Sequence, residues 1–287
     1  MIGMNYAKTS YRIFGNYAKM VKDYFPDVKA NLHKADMKFT FEEYISMTLF
    51  TVMILFFIET VTISFILAFF FNIIESVVLA FILSLGISAG VFFMFYTYPS
   101  AVASGRAKKI NTALPFAISY LTSISSGKMT PQLMFKAFAD FEEGEIAKEA
   151  KNISRNIDVF GMTVPEALRR EAERTPSEEF KDILYGINTT ITSGGDLTLY
   201  LKEKTEELMR NYRRMIIKYS QDLSLFVEVY LTLIITGAIF FIVLSSIMAV
   251  ISGGLGTALI QSFVVFILLP LISIGFIILI KSISPLE

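Results

Sequence analysis

The chain has 287 residues, 54% of them hydrophobic, with 27 Phe, no Trp and no Cys, and its 26 Lys and Arg balance 26 Asp and Glu. Charges fall in blocks between long apolar stretches, which is the composition of a membrane protein, and the zero net charge argues against a nucleic-acid binder working by bulk positive charge. The absence of Cys excludes disulfides, thiolate nucleophiles and Cys-based metal sites, and a single His33 in a charged segment excludes a His metal cluster or a Ser-His triad; it reads as a solvated surface residue.

In chain order, residues 1–43 read as an amphipathic N-terminal segment. A first membrane pair follows over 44–98, with apolar runs at 44–71 and 76–98, each long enough to cross about 30 Å of hydrocarbon. The first run is too long and too far from the N terminus for a cleaved signal peptide. Glu59 sits in its middle, where an unpaired carboxylate costs about 3 kcal/mol, so a functional or interface role is the expectation, against a reading in which the outer part of the helix emerges from the bilayer. Gly86 and Gly90 have the spacing that lets helices approach closely, within the chain or between chains. A polar segment, 104–222, separates this pair from a second one over 224–280, with runs at 224–250 and 257–280. Glu228 lies close enough to the end of its run to snorkel. Residues 281–287 form a tail whose Leu286-Glu287 reads as a cloning scar.

Orientation follows from Lys and Arg, which stay on the cytoplasmic side. Residues 1–43 hold seven of them, 104–222 hold eighteen, and Lys281 is the last; the connections 72–75 and 252–256 hold none. Both termini and the segment 104–222 are therefore expected in the cytoplasm of a multi-pass protein of the cytoplasmic membrane.

Within that segment, "SSGKMTPQLMFKAF" invites a nucleotide-loop reading, which fails. Such a loop needs a Gly five positions before the Gly-Lys pair and a hydroxyl directly after it, and Thr122 and Met129 stand there. The stretch instead repeats, as "VFGMTVPEALRREA" and "TSGGDLTLYLKEKT". Gly127, Gly161 and Gly194 are 34 and 33 residues apart, a period that marks stacked helical units. Each Gly is expected to close a helix in the left-handed region, with Thr130-Pro131 and Thr163 before Pro165 opening the next, and Gly195 completing the third corner. Thr163 to Glu166 and Thr175 to Glu178 read as capping boxes. Six helices are predicted, near 106–126, 131–141, 144–160, 164–174, 177–193 and 197–222. The sixth continues without Gly or Pro into the third span. Tetratricopeptide repeats share the period but not the residue pattern, so one compact bundle is expected.

Basic clusters at Arg106, Lys108 and Lys109, and at Arg210, Arg213, Arg214 and Lys218, lie beside the spans. They are candidate docking sites for a protein partner or for anionic lipid, where each base gains about 1 kcal/mol; the plainer reading is a topology anchor on a solvated face. The acidic run "DFEEGEIAKE", residues 140–149, reads as a solvated corner, with a cation site or partner surface as the alternative. Met and aromatic residues of the bundle read as core. No catalytic, cofactor or metal site is expected.

The segments "LPFAISYLTSISSGKMTPQLMFKAF" and "FGMTVPEALRREAERTPSEEFKDILYGINTTITSGGDLTLYLKEKTEE", with the span that follows, resemble the type II secretion system F family. These are the membrane platform proteins of type IV pili, type II secretion and archaella. The resemblance covers about residues 110–250. Two spans on each side are similar to the Tad-type and archaeal branches, many of whose archaeal members are longer and carry a second such unit. It implies an all-α, non-enzymatic platform that couples a hexameric secretion ATPase to pilin or archaellin subunits and pairs with itself or a related subunit; Glu59, from its depth alone, is expected to meet a subunit's charged N terminus or a partner helix. A transporter or channel subunit is the competing class; it predicts polar groups through several spans, whereas only Glu59 lies deep. An intramembrane enzyme would need at least two cooperating groups at depth.

Overall fold

A computed structural model describes residues 2–127, 129–140, 144–252 and 255–283. The Leu286-Glu287 reading lies outside the described residues. Those that are described are helical, without strands: α1 (Ile2–Met20), a 3-10 turn (Lys22–Tyr24), α2 (Pro26–Lys34), α3 (Phe41–Leu67), α4 (Ile73–Ser125), α5 (Pro131–Phe138), α6 (Glu145–Asp158), α7 (Val164–Arg174), α8 (Glu178–Thr192), α9 (Leu197–Val229), a π turn (Tyr230–Thr236), α10 (Gly237–Ser252), α11 (Leu255–Phe263), a second π turn (Val264–Leu268) and α12 (Leu269–Ile283). Among the described residues, four stretches are long and apolar enough to cross a membrane: Phe41–Leu67, Ile73–Ser125, Leu197–Met248 and Leu259–Lys281. The chain divides into two units, residues 1–200 and 201–287.

In the first unit, α3 begins at a capping box that sequence reading passed over. Thr40 accepts from the Glu43 N–H at 3.3 Å and Glu43 accepts from the Thr40 N–H at 2.9 Å, satisfying free donors of the first turn. Around it, Ala18 of α1, Val28 and Leu32 of α2, and Phe41, Tyr44 and Ile45 of α3 form a buried cluster, with Phe25 and Tyr96 against it.

The second apolar run and the first helix of the polar segment are one helix. α4 runs through 53 residues with Pro99 and Pro115 inside it, where the sequence predicts two helices, 76–98 and 106–126. Pro99 has no N–H, so the carbonyl four residues earlier, that of Phe95, loses its helical donor. The Tyr44 hydroxyl donates to that carbonyl at 2.7 Å, which removes the reason for the helix to end. Tyr44→Phe is expected to leave the carbonyl unsatisfied and to cost about 1–3 kcal/mol, read as a lower thermal midpoint in detergent, with α4 loosened near Pro99 in hydrogen exchange.

Beyond Pro99, α4 packs with α5, α6, α8 and the first turn of α9, and α7 packs on α6 and α8. Ile110, Leu114, Ile118 and Leu121 of α4 meet Met134, Phe135, Phe138, Ile153, Leu168, Phe180, Leu184 and Ile187 in a fully buried core. The helix corners follow their sequence punctuation unevenly. Gly161 (φ 65°) and Gly194 (φ 72°) turn through the left-handed region, and the Gly195 N–H reaches back to the Thr190 carbonyl at 2.9 Å. Asp196 then caps α9 by accepting from the Leu199 N–H. Gly127 is not among the positive-φ residues; its N–H bonds to the Ile124 carbonyl, and the helix unwinds through a turn. Pro131 and Pro165 open α5 and α7, and Thr163 with Glu166 forms a capping box. The box expected at Thr175 and Glu178 is absent, because Thr175 ends α7 while Ser177 caps α8 by accepting from the Phe180 N–H.

In the second unit α9 runs unbroken to Val229. The Tyr230 ring lies 5.0 Å from that of Phe276, and its hydroxyl is 3.1 Å from the Ser273 Oγ. The π turn at Val264–Leu268 lies just before Pro270, where the missing N–H leaves the carbonyl ladder to rearrange.

Candidate functional site

Three features bear on function, each built from a different helix face. The first is the polar strip between α3 and α4. Ser76, Ala80, Ser84 and Ser88 recur every fourth residue and are buried, so small side chains let the two apolar helices approach. The Ser88 Oγ donates to Glu59 Oε2 at 3.5 Å, and one turn away the Ser84 Oγ is buried without a partner among the described residues. Glu59 is half-buried and bonded to its neighbouring helix. Gly86 and Gly90 lie on another face of α4, and a Cβ at either would meet nothing within 4 Å, so this pair does not serve packing within the chain.

The second feature is a buried charge cluster. Arg106 stands on the inward stripe of α4 with its side chain 11% exposed; its Nε donates to Glu145 Oε2 at 2.7 Å and its Nη2 to Glu149 Oε1 at 2.9 Å. Its Nη1 donates to the Lys34 carbonyl at the end of α2. Arg106 is thereby consumed inside the fold, and of its sequence cluster only Lys108 and Lys109 remain exposed. Glu145 and Glu149 belong to the acidic run read as a solvated corner, and their burial against Arg106 corrects that reading for this part of it; residues 141–143 lie outside the described residues. Glu149 faces Glu171 of α7, and burial first, then the Glu171 charge, push the Glu149 carboxyl up to about 8. The Oε2 atoms of Glu149 and Glu171 are both buried without a hydrogen-bond partner among the described residues. Glu171 Oε1 accepts from Asn152 at 3.1 Å. The signal for this cluster is in the sequence: Glu149 lies among Ile146, Ala150 and Ile153, and Glu171 among Ala167, Leu168 and Ala172, each on the apolar stripe of its helix. Among the described residues no group of His, Cys, Asp or Glu is arranged to hold a metal.

The third feature is the basic stretch of α9. Arg210, Arg213, Arg214 and Lys218 are all exposed. Arg210 makes a long ion pair with Glu206 at 3.7 Å, and Arg214 donates to the Asn211 side chain. Local pairs of this kind leave the charge available to a partner, since exposed ion pairs contribute little.

Compared with known proteins, residues 117–245 match the family described as Type II secretion system (T2SS), protein F. Two curated relatives are from Methanocaldococcus jannaschii. Flagella accessory protein J is 28% identical over 145 residues, covering 50% of this chain and 26% of that one. An uncharacterised protein is 25% identical over 134 residues, covering 46% of this chain and 22% of the other. The chain thus spans about a quarter of the length of these relatives. No solved structure matches.

Proposed function

Because residues 117–245 belong to the type II secretion system protein F family, we propose that this chain is the membrane platform of a type IV filament or type II secretion machine. It sits in the cytoplasmic membrane with both termini and the six-helix body between its second and third spans facing the cytoplasm. It works without catalytic chemistry of its own, as a homodimer or beside a related platform subunit. The body receives a hexameric secretion ATPase, and the spans receive pilin or archaellin subunits. The observation that carries the reading is the placement of the family match: it starts within the helical body and ends in the third apolar stretch, with membrane-length helices on both sides. The name of one relative favours a motility filament. A transporter or channel subunit, the alternative class, is disfavoured by the shortage of charged groups deep in the spans.

Crosslinking the chain in its native membrane and identifying the captured proteins tests this. A hexameric ATPase and filament subunits are the expected catch; a solute-binding protein in their place overturns the proposal. Within it, Glu59 is the group offered to the charged N terminus of a subunit, held toward α4 by Ser88. Glu59→Gln keeps the hydrogen bond and loses the charge, so filament assembly is expected to fall about tenfold or more while the chain still inserts, since a desolvated charge pair is worth several times a neutral bond. Assembly at the wild-type level in this variant would remove Glu59 from the mechanism.

A further inference from the structure

α1 is held against the membrane-entering part of α3. The Tyr6 hydroxyl is 2.8 Å from the Thr51 Oγ1, and the rings of Tyr6 and Phe14 lie 5.5 and 6.4 Å from Phe50. Ala7, Ser10 and Ala18 form the buried side of α1. Just past this contact, from Met53 onward, α3 presents bare apolar side chains. Aromatic residues gather in this part of the chain: of the 13 tyrosines, Tyr6, Tyr11, Tyr17, Tyr24, Tyr44, Tyr96 and Tyr98 are in the first 98 residues, on α1, its following turn, α3 and α4. Tyrosine collects at the headgroup level because its ring is apolar and its hydroxyl is wet.

The free surface of α1 has two faces. Ile13, Tyr17 and Met20 flank the buried side and are 50, 64 and 76% exposed. Lys8, Arg12 and Lys19 share one side of α1, a different one from Ile13 and Met20, and α1 contains no Asp or Glu. None of the three bases makes an ion pair among the described residues. Together with Tyr11, Gly15 and Asn16 they line an open cleft of about 360 Å³. Its polar groups are two ammonium groups, a guanidinium, an amide and a phenol, three cations and no anion. Gly15 leaves room for the Tyr11 ring, which a Cβ there would approach to 3.2 Å.

We propose that α1 is a lipid-binding helix, with Lys8, Arg12 and Lys19 taking the phosphate of an anionic phospholipid in this cleft and Ile13, Tyr17 and Met20 seated at the headgroup and acyl boundary. The charge fits that partner, the packing on α3 places the helix at the bilayer surface, and the exposed apolar flank has the composition of an interfacial helix. The proposal rests on the membrane-spanning reading of α3 and α4 and is independent of the platform role.

The chain has no Cys, so Ile13→Cys provides a single labelling site on the full-length protein. In nanodiscs of phosphatidylcholine mixed with phosphatidylglycerol, reaction with a water-soluble maleimide is expected to be at least about tenfold slower than in phosphatidylcholine alone. Adding K8E, R12E and K19E should restore fast labelling, and K8Q, R12Q and K19Q should do the same if the reversed charges disturb folding. Equal rates in the two kinds of disc overturn the proposal, as does protection that excess inorganic phosphate removes without the lipid. Protection in native membranes but not in anionic discs would assign the face to a protein and overturn it too.

Discussion

Arg106→Ala is expected to lower stability by about 3–5 kcal/mol, the cost of leaving a buried charge without its counter-charge. Two carboxylates and a helix-end carbonyl converge on this guanidinium, from α6 and from the end of α2. Its removal leaves Glu145 with Lys148 alone, takes a donor from the buried Glu149 and frees the Lys34 carbonyl, so the joints of α4 with α6 and α2 fail together. Arg106→Lys should rescue little, because an ammonium cannot present the planar fork that reaches three acceptors on two elements. The thermal midpoint in detergent should drop by roughly 10 °C or more. Adding Glu145→Gln to Arg106→Ala should recover part of the loss, since the carboxylate that Arg106 held is then gone. A midpoint within a degree or two of wild type would show that the cluster does not hold these helices.

The helices from α5 to α9 could be read from the sequence within a few residues because their ends are written locally. Pro131 and Pro165 open helices, Gly161 and Gly194 close them, and Thr163 with Glu166 makes a cap within four residues. What escaped was set by groups distant in the chain. Pro99 argues locally for a helix end, and the hydroxyl that keeps α4 continuous comes from Tyr44, 51 residues earlier. Arg106 reads as one of three bases beside a span, while its acceptors lie 39 and 43 residues further on. Ser88 is an ordinary small residue in an apolar run until α3 sets Glu59 beside it. Composition could identify a carboxylate at depth. It could not say which way that carboxylate faces. Glu149 and Glu171 were the more accessible omission, since a charged residue at a core position of an amphipathic helix is visible as a break in the pattern.

Raising the pH from about 5 to above 8 is expected to destabilise the body built by α4 to α8, and Glu149→Gln is expected to abolish the effect. Burial, then the neighbouring Glu171, raise the Glu149 carboxyl from 4.5 to about 8, so between these values the native state keeps a proton that the unfolded chain has released. Its stabilisation is complete below pH 4.5 and is lost as pH rises through 8, with a slope of at most about 1.4 kcal/mol per pH unit. The carboxylates that are held low act in another window. Glu178 and Glu207, bonded by Lys181 and Lys204, contribute above 4.5 and lose that contribution only as pH falls below it. Glu145 behaves likewise, its burial outweighed by hydrogen bonds from Lys148 and Arg106. The interval from about 5 to 8 therefore reports on the Glu149 proton. Gln at 149 still accepts from Arg106 and has no proton to lose, which removes the dependence in this range. Thermal midpoints measured across it should fall for the wild type and stay level for the variant, with the variant the more stable of the two above pH 8; parallel profiles would mean that burial does not raise the Glu149 carboxyl.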